Sequence, residues 1–523
     1  MKRFSLRLGL TLTSLLLGLA PALTAAPAAT RAAYAPPRFN DDARRQRIDA
    51  VLAEVDRTCA SFATERHLPG LVYGIVLDGQ LVHTGAVGFA NLEKKTSAAT
   101  DTRFRIASMT KSFTALAIYK LRDAGKLSLA DPVEKFLPEF RAVASLTTDA
   151  APITLHHLLT MTAGFPEDNP WGDRQLAVTP EALRDFIRRG VSLSEAPGST
   201  YEYSNLGFAL LGQIISRVAG EPFQTYLTRE ILVPLGMKDT RWEYADVPAD
   251  KLALGYRWEN DAWRTEPLLH DGAYGAMGGL LTTLDNFSRY VTFHLAAYPP
   301  RDDADSGPIR RATVREMHQP TIVSTVVADA KSLAGAPRPF AVAYAHGLRW
   351  SMDSTGLINL GHGGGLPGFG SFWRFYPTLG LGIIAFANLT YAPAGALISQ
   401  LAPLLVEKAA LTPRALPVSA TLATRQRQIS ELLTSWEPAL CNEILAENFF
   451  LDRSRDDWMK FARETLARAG RITATGALVP ENQLRGTFAL TGEKGRIDVF
   501  FTLTPEAIPK LQHLRLTFTA ATP

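Results

Sequence analysis

The sequence predicts a mixed α/β (α+β) protein: an antiparallel sheet flanked by helices, a mostly helical subdomain, and a small C-terminal α+β domain. Three observations carry this. Strand-like runs lie near Leu71–Val87 and again near His346–Asn388, with helical and loop segments between them. Leu411 to about Thr424, with Pro413 and Pro417 among Ala, Ser and Thr, reads as a linker. A second set of helices and strands follows it. Strands from the two ends of one region share a sheet only if its halves close on each other, leaving the middle to cover a face.

Length and composition set the bounds. The chain has 523 residues, 46% hydrophobic and 20% charged, which is enough to bury a large core and too long for one ordinary domain. Lys2, Arg3 and Arg7 precede the apolar run Leu8–Leu19, and Ala20-Pro21-Ala22 offers a cleavage site. Residues 1–26 therefore read as a signal peptide, which makes the expected location periplasmic or secreted. Losing those three cations takes the net charge from +4 to about +1, so no nucleic-acid partner is expected. After the signal no apolar stretch is long enough to span a membrane. Cys59 and Cys441 lie far apart without metal-site spacing, and no metal or other cofactor is expected.

In chain order, residues 27–42 are rich in Ala and Pro and read as a flexible leader. A helix from Asp41 to about His67 carries Ile48, Val51, Leu52, Val55 and Phe62 on one side. Pro69-Gly70 ends it, and Leu71–Leu77 and Leu81–Val87 form a hairpin about Asp78-Gly79. A helix runs from Ser108 to about Ala124. Helices are expected over Ile153–Met161, Thr179–Arg189, Tyr201–Ala219 and Leu280–Leu295, with a loop over Phe165–Gly172 and a long irregular excursion over 300–340. Strands are expected at His346–Met352, Leu357–Gly361, Gly370–Tyr376 and Leu381–Asn388, then a covering helix at Ile398–Lys408. The domains fall at 43–408 and 425–523, joined by the linker 409–424. In the second, Gln426–Glu447 and Arg455–Ala469 read as helical, and four strand-like runs lie between Ile472 and Phe518.

Chemistry concentrates in three places. Ser108 stands at the mouth of an apolar helix with Lys111 one turn on, so a hydroxyl lies beside an amine where backbone dipoles favour negative charge. A desolvated lysine can take the serine proton. Pro197-Gly198 leads a loop carrying Tyr203 and Asn205 into another apolar helix. A tyrosine beside an ammonium is expected to have a lowered pKa and to pass a proton onward. Leu360–Gly370 holds His362 and a glycine-rich run that lets a substrate backbone come close and frees an N–H for an oxyanion. Its formal G-x-G-x-x-G lacks the helix a dinucleotide needs, because Pro367 and a strand-like run follow. Each motif alone also fits a structural role: Ser as a helix cap, Tyr packed at a helix entry, His buried and satisfied. No G-x-S-x-G, H-E-x-x-H or P-loop is present.

Together Ser108–Lys111, Tyr203–Asn205 and His362–Gly364 resemble the motif set of the serine β-lactamase and penicillin-binding protein superfamily. The likeness runs over about residues 45–405 and is nearest the class C-like branch, with its D-Ala-D-Ala carboxypeptidases, D-aminopeptidases and esterases. It implies a β-lactamase-like fold over 43–408 and an acyl-enzyme serine hydrolase acting on a small-molecule or peptide amide or ester. It implies Ser108 as nucleophile and Lys111 and Tyr203 as base and acid. Asn205 would hold Lys111 or the substrate amide, and Ser108 and Gly365 would supply oxyanion N–H groups. His362 and Gly364 would frame the substrate. Where class C β-lactamases usually have Lys-Thr-Gly, this chain has a histidine and no side chain at 363, which implies weaker β-lactam turnover. The alternatives are a β-lactamase and a penicillin-binding sensor or scaffold that is acylated without turnover.

Overall fold

A computed structural model describes residues 34–521. The signal-peptide reading of residues 1–26 lies outside them. Helix α1 (Arg44–Glu65) is followed by strands β1 (Gly70–Leu77), β2 (Gln80–Asn91) and β3 (Thr96–Ser97), then helix α2 (Thr110–Asp123). Helices α3 (Asn205–Ala219) and α4 (Leu284–Ala296) belong to the middle of the chain. Strands β4 (Ile322–Val327), β5 (Phe340–Tyr344), β6 (Arg349–Asp353), β7 (Ile358–Leu366), β8 (Phe369–Tyr376) and β9 (Leu381–Ala387) then precede helix α5 (Ala394–Pro403).

These strands make one nine-stranded sheet in the order β3-β2-β1-β9-β8-β7-β6-β5-β4. The two halves of the chain meet where β1 pairs antiparallel with β9, from Leu71↔Ala387 to Leu77↔Leu381. Both strands are buried along their whole length because helices cover both faces. One face packs on the middle of the chain, burying Phe113, Leu116, Phe208, Phe287 and Trp373 in one core. The other packs on α1 and α5, burying Ile48, Val55, Leu397 and Leu401 in a second.

Several elements differ from expectation. Residues 300–340, expected to be irregular, contain a helix over Arg311–Met317, the edge strand β4 and the start of β5. In β4 Val323 and Val326 are exposed, so its apolar residues do not alternate with polar ones toward a core. The expected helix over Tyr201–Ala219 starts only at Asn205, because Ser204 caps it by accepting the Gly207 N–H at 3.2 Å. The strand expected to stop at Gly361 continues to Leu366, straight through the glycines. Within the expected leader, Arg38 exchanges backbone hydrogen bonds with Ala415 of the expected linker, at 3.0 and 2.8 Å.

The C-terminal segment has its own core of Ile429, Leu432, Phe488, Val499 and Phe501. Its first helical stretch is two helices, Ala420–Ser435 and Pro438–Ile444. They are separated at Trp436, which takes a left-handed φ of 51° two residues before Pro438. Its strands form a separate five-stranded antiparallel sheet: four run in one row, and Val479–Asn482 pairs beside Arg485–Gly492. Cys59 and Cys441 are both free and lie in separate cores. Among the described residues no helix is long and apolar enough to cross a membrane, and no group of three side chains could hold a metal ion.

One buried polar cluster sets an acid limit on this fold. His294 Nδ1 lies 2.7 Å from His318 Nε2, and Tyr298 Oη lies 3.1 Å from His318 Nδ1. Burial holds the His318 pKa down to about 3 and that of His294 well below 6.5. Unfolded, both rings take a proton near pH 6.5. Their contribution to stability is thus complete above that pH and is lost as pH falls toward the folded values, by about 1.4 kcal/mol per pH unit per ring. Chemical denaturation at pH 6.0, 5.2 and 4.5 should show this fall. His318→Gln should flatten the slope by about one proton.

Candidate active site

The turn that presents Ser108 is built by close backbone approach. Ala107–Met109 forms a single 3₁₀ turn leading into α2, and Ala107 takes a left-handed φ of 50°, unusual for a residue with a Cβ. Neighbours fix the turn from three sides. The Ile106 N–H donates to the Leu280 carbonyl at 3.0 Å, and the Ser371 hydroxyl donates to the Ile106 carbonyl at 2.7 Å. Thr114 Oγ1 donates to the Ala276 carbonyl at 2.6 Å. Gly364 on β7 lies directly against the turn: a Cβ there would sit 2.2 Å from the Ile106 oxygen and 2.3 Å from Ser371 Oγ.

Ser108, Lys111, Tyr203, Asn205 and His362 converge here. Lys111 Nζ donates to Ser108 Oγ at 2.9 Å, Asn205 Oδ1 at 2.7 Å and the Met277 carbonyl at 3.0 Å. Three acceptors satisfy three N–H bonds, but none of them is a carboxylate. The side chain is fully buried, and desolvation pulls its pKa down to about 7. Asp173 and Asp168 act against that pull from farther off, while Arg349 reinforces it.

Tyr203 corrects the expectation of a lowered phenol pKa. Burial raises it well above 10, and the hydrogen bond with the Ser108 hydroxyl only partly offsets this. Lys111 Nζ lies 5.0 Å from the ring centroid, yet an amine with a pKa near 7 carries its charge only about half the time at neutral pH, and burial of the phenol outweighs it. Tyr203 therefore stays a protonated donor. His362 Nε2 lies 2.9 Å from Tyr344 Oη and its Nδ1 lies 2.5 Å from the Gly363 carbonyl. The carbonyl can only accept, so Nδ1 carries the proton and Nε2 accepts from the tyrosine. Burial, then Arg349 and Lys111, hold its pKa well below 6.5, and the ring is neutral.

Three residues that bear on the site were not singled out in the sequence. The Asp168 carboxylate accepts the N–H groups of Asn205 at 2.7 Å and Leu206 at 2.8 Å, anchoring the start of α3. Asp173 accepts from Asn205 Nδ2 at 3.3 Å and from Tyr391 Oη at 3.2 Å. Burial raises both carboxyl pKa values, with Lys111 opposing. Arg349 closes the cleft, its guanidinium carbon 6.0 Å from the Tyr203 ring centroid. A helix entering at a buried N-terminus needs an acceptor, and that need is legible, but only the fold shows that the loop Phe165–Gly172 supplies it.

The residues border a cleft of about 810 Å³. Ser108, His362, Gly363 and Gly365 line it, whereas Gly364 sits beneath, against the turn at Ile106 and Ala107. Strand β6 pairs with β7 only as far as Arg349↔Gly361, so the β7 edge beyond His362 has no strand partner on that side. An open strand edge beside a hydroxyl suits an extended substrate.

Known proteins resemble this chain in family and fold. The family model described as Beta-lactamase matches residues 55–405. The chain is 30% identical to Protein flp of Staphylococcus aureus (strain N315) over 349 residues, which is 65% of this chain and 64% of that protein. It is 32% identical to Beta-lactamase-like protein 2 of Dictyostelium discoideum over 47% of this chain and 46% of that protein. The match thus spans less than two thirds of either relative. Among solved structures, the octameric penicillin-binding protein homologue from Pyrococcus abyssi superposes with a TM-score of 0.56 at 20% identity, over 90% of this chain and 96% of that one. EstCE1, a hydrolase with promiscuous acyltransferase activity, gives 0.54 at 20% identity over 70% and 98%. At such identities these two likenesses speak to the fold.

Gly364→Ala tests the close packing. With a Cβ driven into the Ile106 carbonyl, the turn must shift by about 1 Å. Ester hydrolysis should then fall by about 100-fold, with a lowered melting temperature by calorimetry. Gly335→Ala, where nothing lies within 4 Å although the left-handed φ is strained, serves as the surface comparison.

Proposed function

The chain belongs to the beta-lactamase family, and we propose that it is a serine hydrolase that opens an amide or ester bond through an acyl-enzyme on Ser108. The observation that carries this is the buried Lys111 amine, 2.9 Å from Ser108 Oγ with a pKa near 7. An ordinary lysine is almost wholly protonated at neutral pH; this one is a free base about half the time.

In the proposed reaction Lys111 Nζ takes the Ser108 proton as Oγ bonds to the substrate carbonyl carbon. The N–H groups of Ser108 and Gly365 receive the developing oxyanion, each worth about 3 kcal/mol. The tetrahedral intermediate then collapses: the bond to the leaving nitrogen or oxygen breaks, and Tyr203 donates its phenolic proton to that atom. A high phenol pKa suits a donor. The Lys111 ammonium, 5.0 Å from the Tyr203 ring centroid, then gives its proton to the phenolate, so acylation leaves both groups as they began. Water repeats the sequence in reverse roles and frees Ser108. Asn205 holds Lys111 in line, and Asp168 and Asp173 hold Asn205.

Peptide or small ester substrates, of the carboxypeptidase, aminopeptidase or esterase kind, fit better than β-lactams. His362 is neutral and committed to Tyr344, so it offers no cation for a drug carboxylate, and Gly363 offers no hydroxyl. The N-terminal sequence supports a periplasmic or secreted enzyme.

Mass spectrometry after brief mixing with p-nitrophenyl butyrate should show one acyl group, on Ser108. Ser108→Ala should abolish both adduct and turnover; an adduct that forms and never clears would favour a binder instead. The rate–pH profile should rise with an apparent pKa near 7 as Lys111 loses its proton. Lys111→Ala should lower kcat by at least about 1,000-fold. Nitrocefin should be turned over far more slowly than the ester.

A further inference from the structure

The C-terminal segment has a cleft of its own, about 370 Å³ in volume, along the edge of its sheet. One wall is the last strand, Leu511–Ala520, which ends the row of strands and pairs only with Gly495–Leu503. On its other side the Ala446 N–H donates to the Leu511 carbonyl at 2.9 Å. Beyond that bond, among the described residues, only the ladder to Gly495–Leu503 reaches the backbone of residues 512–519. Alternate residues of an antiparallel pair turn both N–H and C=O away from the partner, so these positions leave about four such pairs facing outward.

The other wall is aromatic and cationic. Phe449 stacks on Trp458 with 5.4 Å between ring centroids, and Phe461 meets Trp458 edge-on at 5.9 Å. Arg453 lies over both Trp458 and Phe461, its guanidinium carbon 4.8 and 4.5 Å from their centroids. Farther along the strand Arg468 covers the Phe518 ring at 4.5 Å, on the same sheet face as the buried Leu514 and Leu516. On the opposite face Arg515 covers Phe500 at 4.7 Å. Among the described residues none of these three arginines is ion-paired; the ion pairs of this sheet engage Arg471, Arg485 and Arg496 instead. Asp452 is the one carboxylate in the cleft lining. A guanidinium laid flat on a ring keeps its N–H edge free, which is the edge a carboxylate binds with two bonds.

We propose that the open edge of residues 512–519 takes up an extended acidic segment of a partner protein as an added strand, with carboxylates of its inward-facing residues on Arg453 and Arg468. Main-chain bonds to the outward backbone groups hold the segment, and its alternate side chains read the two faces. Inward, a glutamate lays its methylenes on Trp458 and its carboxylate on Arg453; the residues between face Arg515. From Gln512 to Phe518 six steps of extended chain cover about 20 Å, so a segment of about seven residues reaches both inward arginines. The charge decides the occupant. A second copy brought edge to edge would set these arginines against their own kind, which opposes self-pairing, whereas a strand bearing carboxylates meets attraction on both faces. This site is independent of the chemistry proposed for Ser108.

The test uses the full chain and a fluorescein-labelled heptapeptide of alternating glutamate and valine, followed by anisotropy. It should bind at least about 10-fold more tightly than its glutamine counterpart, and the difference should shrink in about 0.5 M salt. Arg453→Gln should weaken binding by about 10-fold, and Arg453→Lys should recover part of it. Two N-methylated peptides test strand addition itself. Methylating one alternate set of amides should abolish binding and methylating the other should spare it, because only one set faces the protein. Hydrogen exchange of residues 512–519 should slow when the peptide binds. Equal binding of the glutamate and glutamine peptides, binding of neither, or equal tolerance of both methylated sets overturns the proposal. So does an unchanged affinity in Arg453→Gln. Capture of phosphatidylglycerol vesicles without the peptide assigns the arginines to a lipid surface and overturns it as well.

Discussion

Everything at the centre of this molecule follows from taking one primary amine out of water. A lysine in bulk solvent holds its proton until about pH 10.5; Lys111 holds it only to about 7. That difference corresponds to a bias on the order of 5 kcal/mol between charge states, and the fold must sustain it. It does so with acceptors that are all uncharged: a hydroxyl, an amide oxygen and a backbone carbonyl. Placing Asp168 or Asp173 in direct contact would restore the proton. Instead both carboxylates grip Asn205, and it is Asn205 rather than either carboxylate that touches the amine. Their charge is felt at one remove, enough to keep Lys111 from sinking further.

The packing around the amine explains why small residues gather there. Gly347, with a positive φ of 76°, lies so close to the Lys111 backbone that a Cβ would stand 2.9 Å from its carbonyl oxygen. Gly212 of α3 allows that helix to close on the segment that presents the Met277 carbonyl, since a Cβ would meet Ala276 Cβ at 2.5 Å. Such contacts exclude water more completely than flexible side chains would. They also leave the turn at Ala107 no room to relax its left-handed conformation.

What could be read from the sequence was what is local. The hairpin at Asp78-Gly79, the pairing of Ser108 with Lys111 one helical turn on, and the loop that ends at Asn205 are each set within a dozen residues. The strand carrying His362 was visible too, though its extent was not. Glycines that usually end a strand here continue it, because neighbouring backbone comes too close for any side chain. Asp168, Asp173 and Arg349 could not be found in this way. Their partners lie across the fold, and nothing near them in sequence says that one loop will meet α3 or that a β6 arginine will lean over a phenol. The direction of the Tyr203 shift was missed for the same reason: proximity to a lysine was legible, but the burial that neutralises that lysine was not.

The pairing of β1 with β9 has a consequence for how the molecule comes into being. Leu71 waits for Ala387, so a growing polypeptide carries the hairpin of β1 and β2 with one apolar edge of β1 unpaired for more than three hundred positions. Contacts of that sequence separation are slow to form and leave intermediates adhesive. A product cut short of β7 also lacks His362 and the glycines that line the cleft with Ser108, so that cleft takes shape only once the last third of the sheet has been laid down.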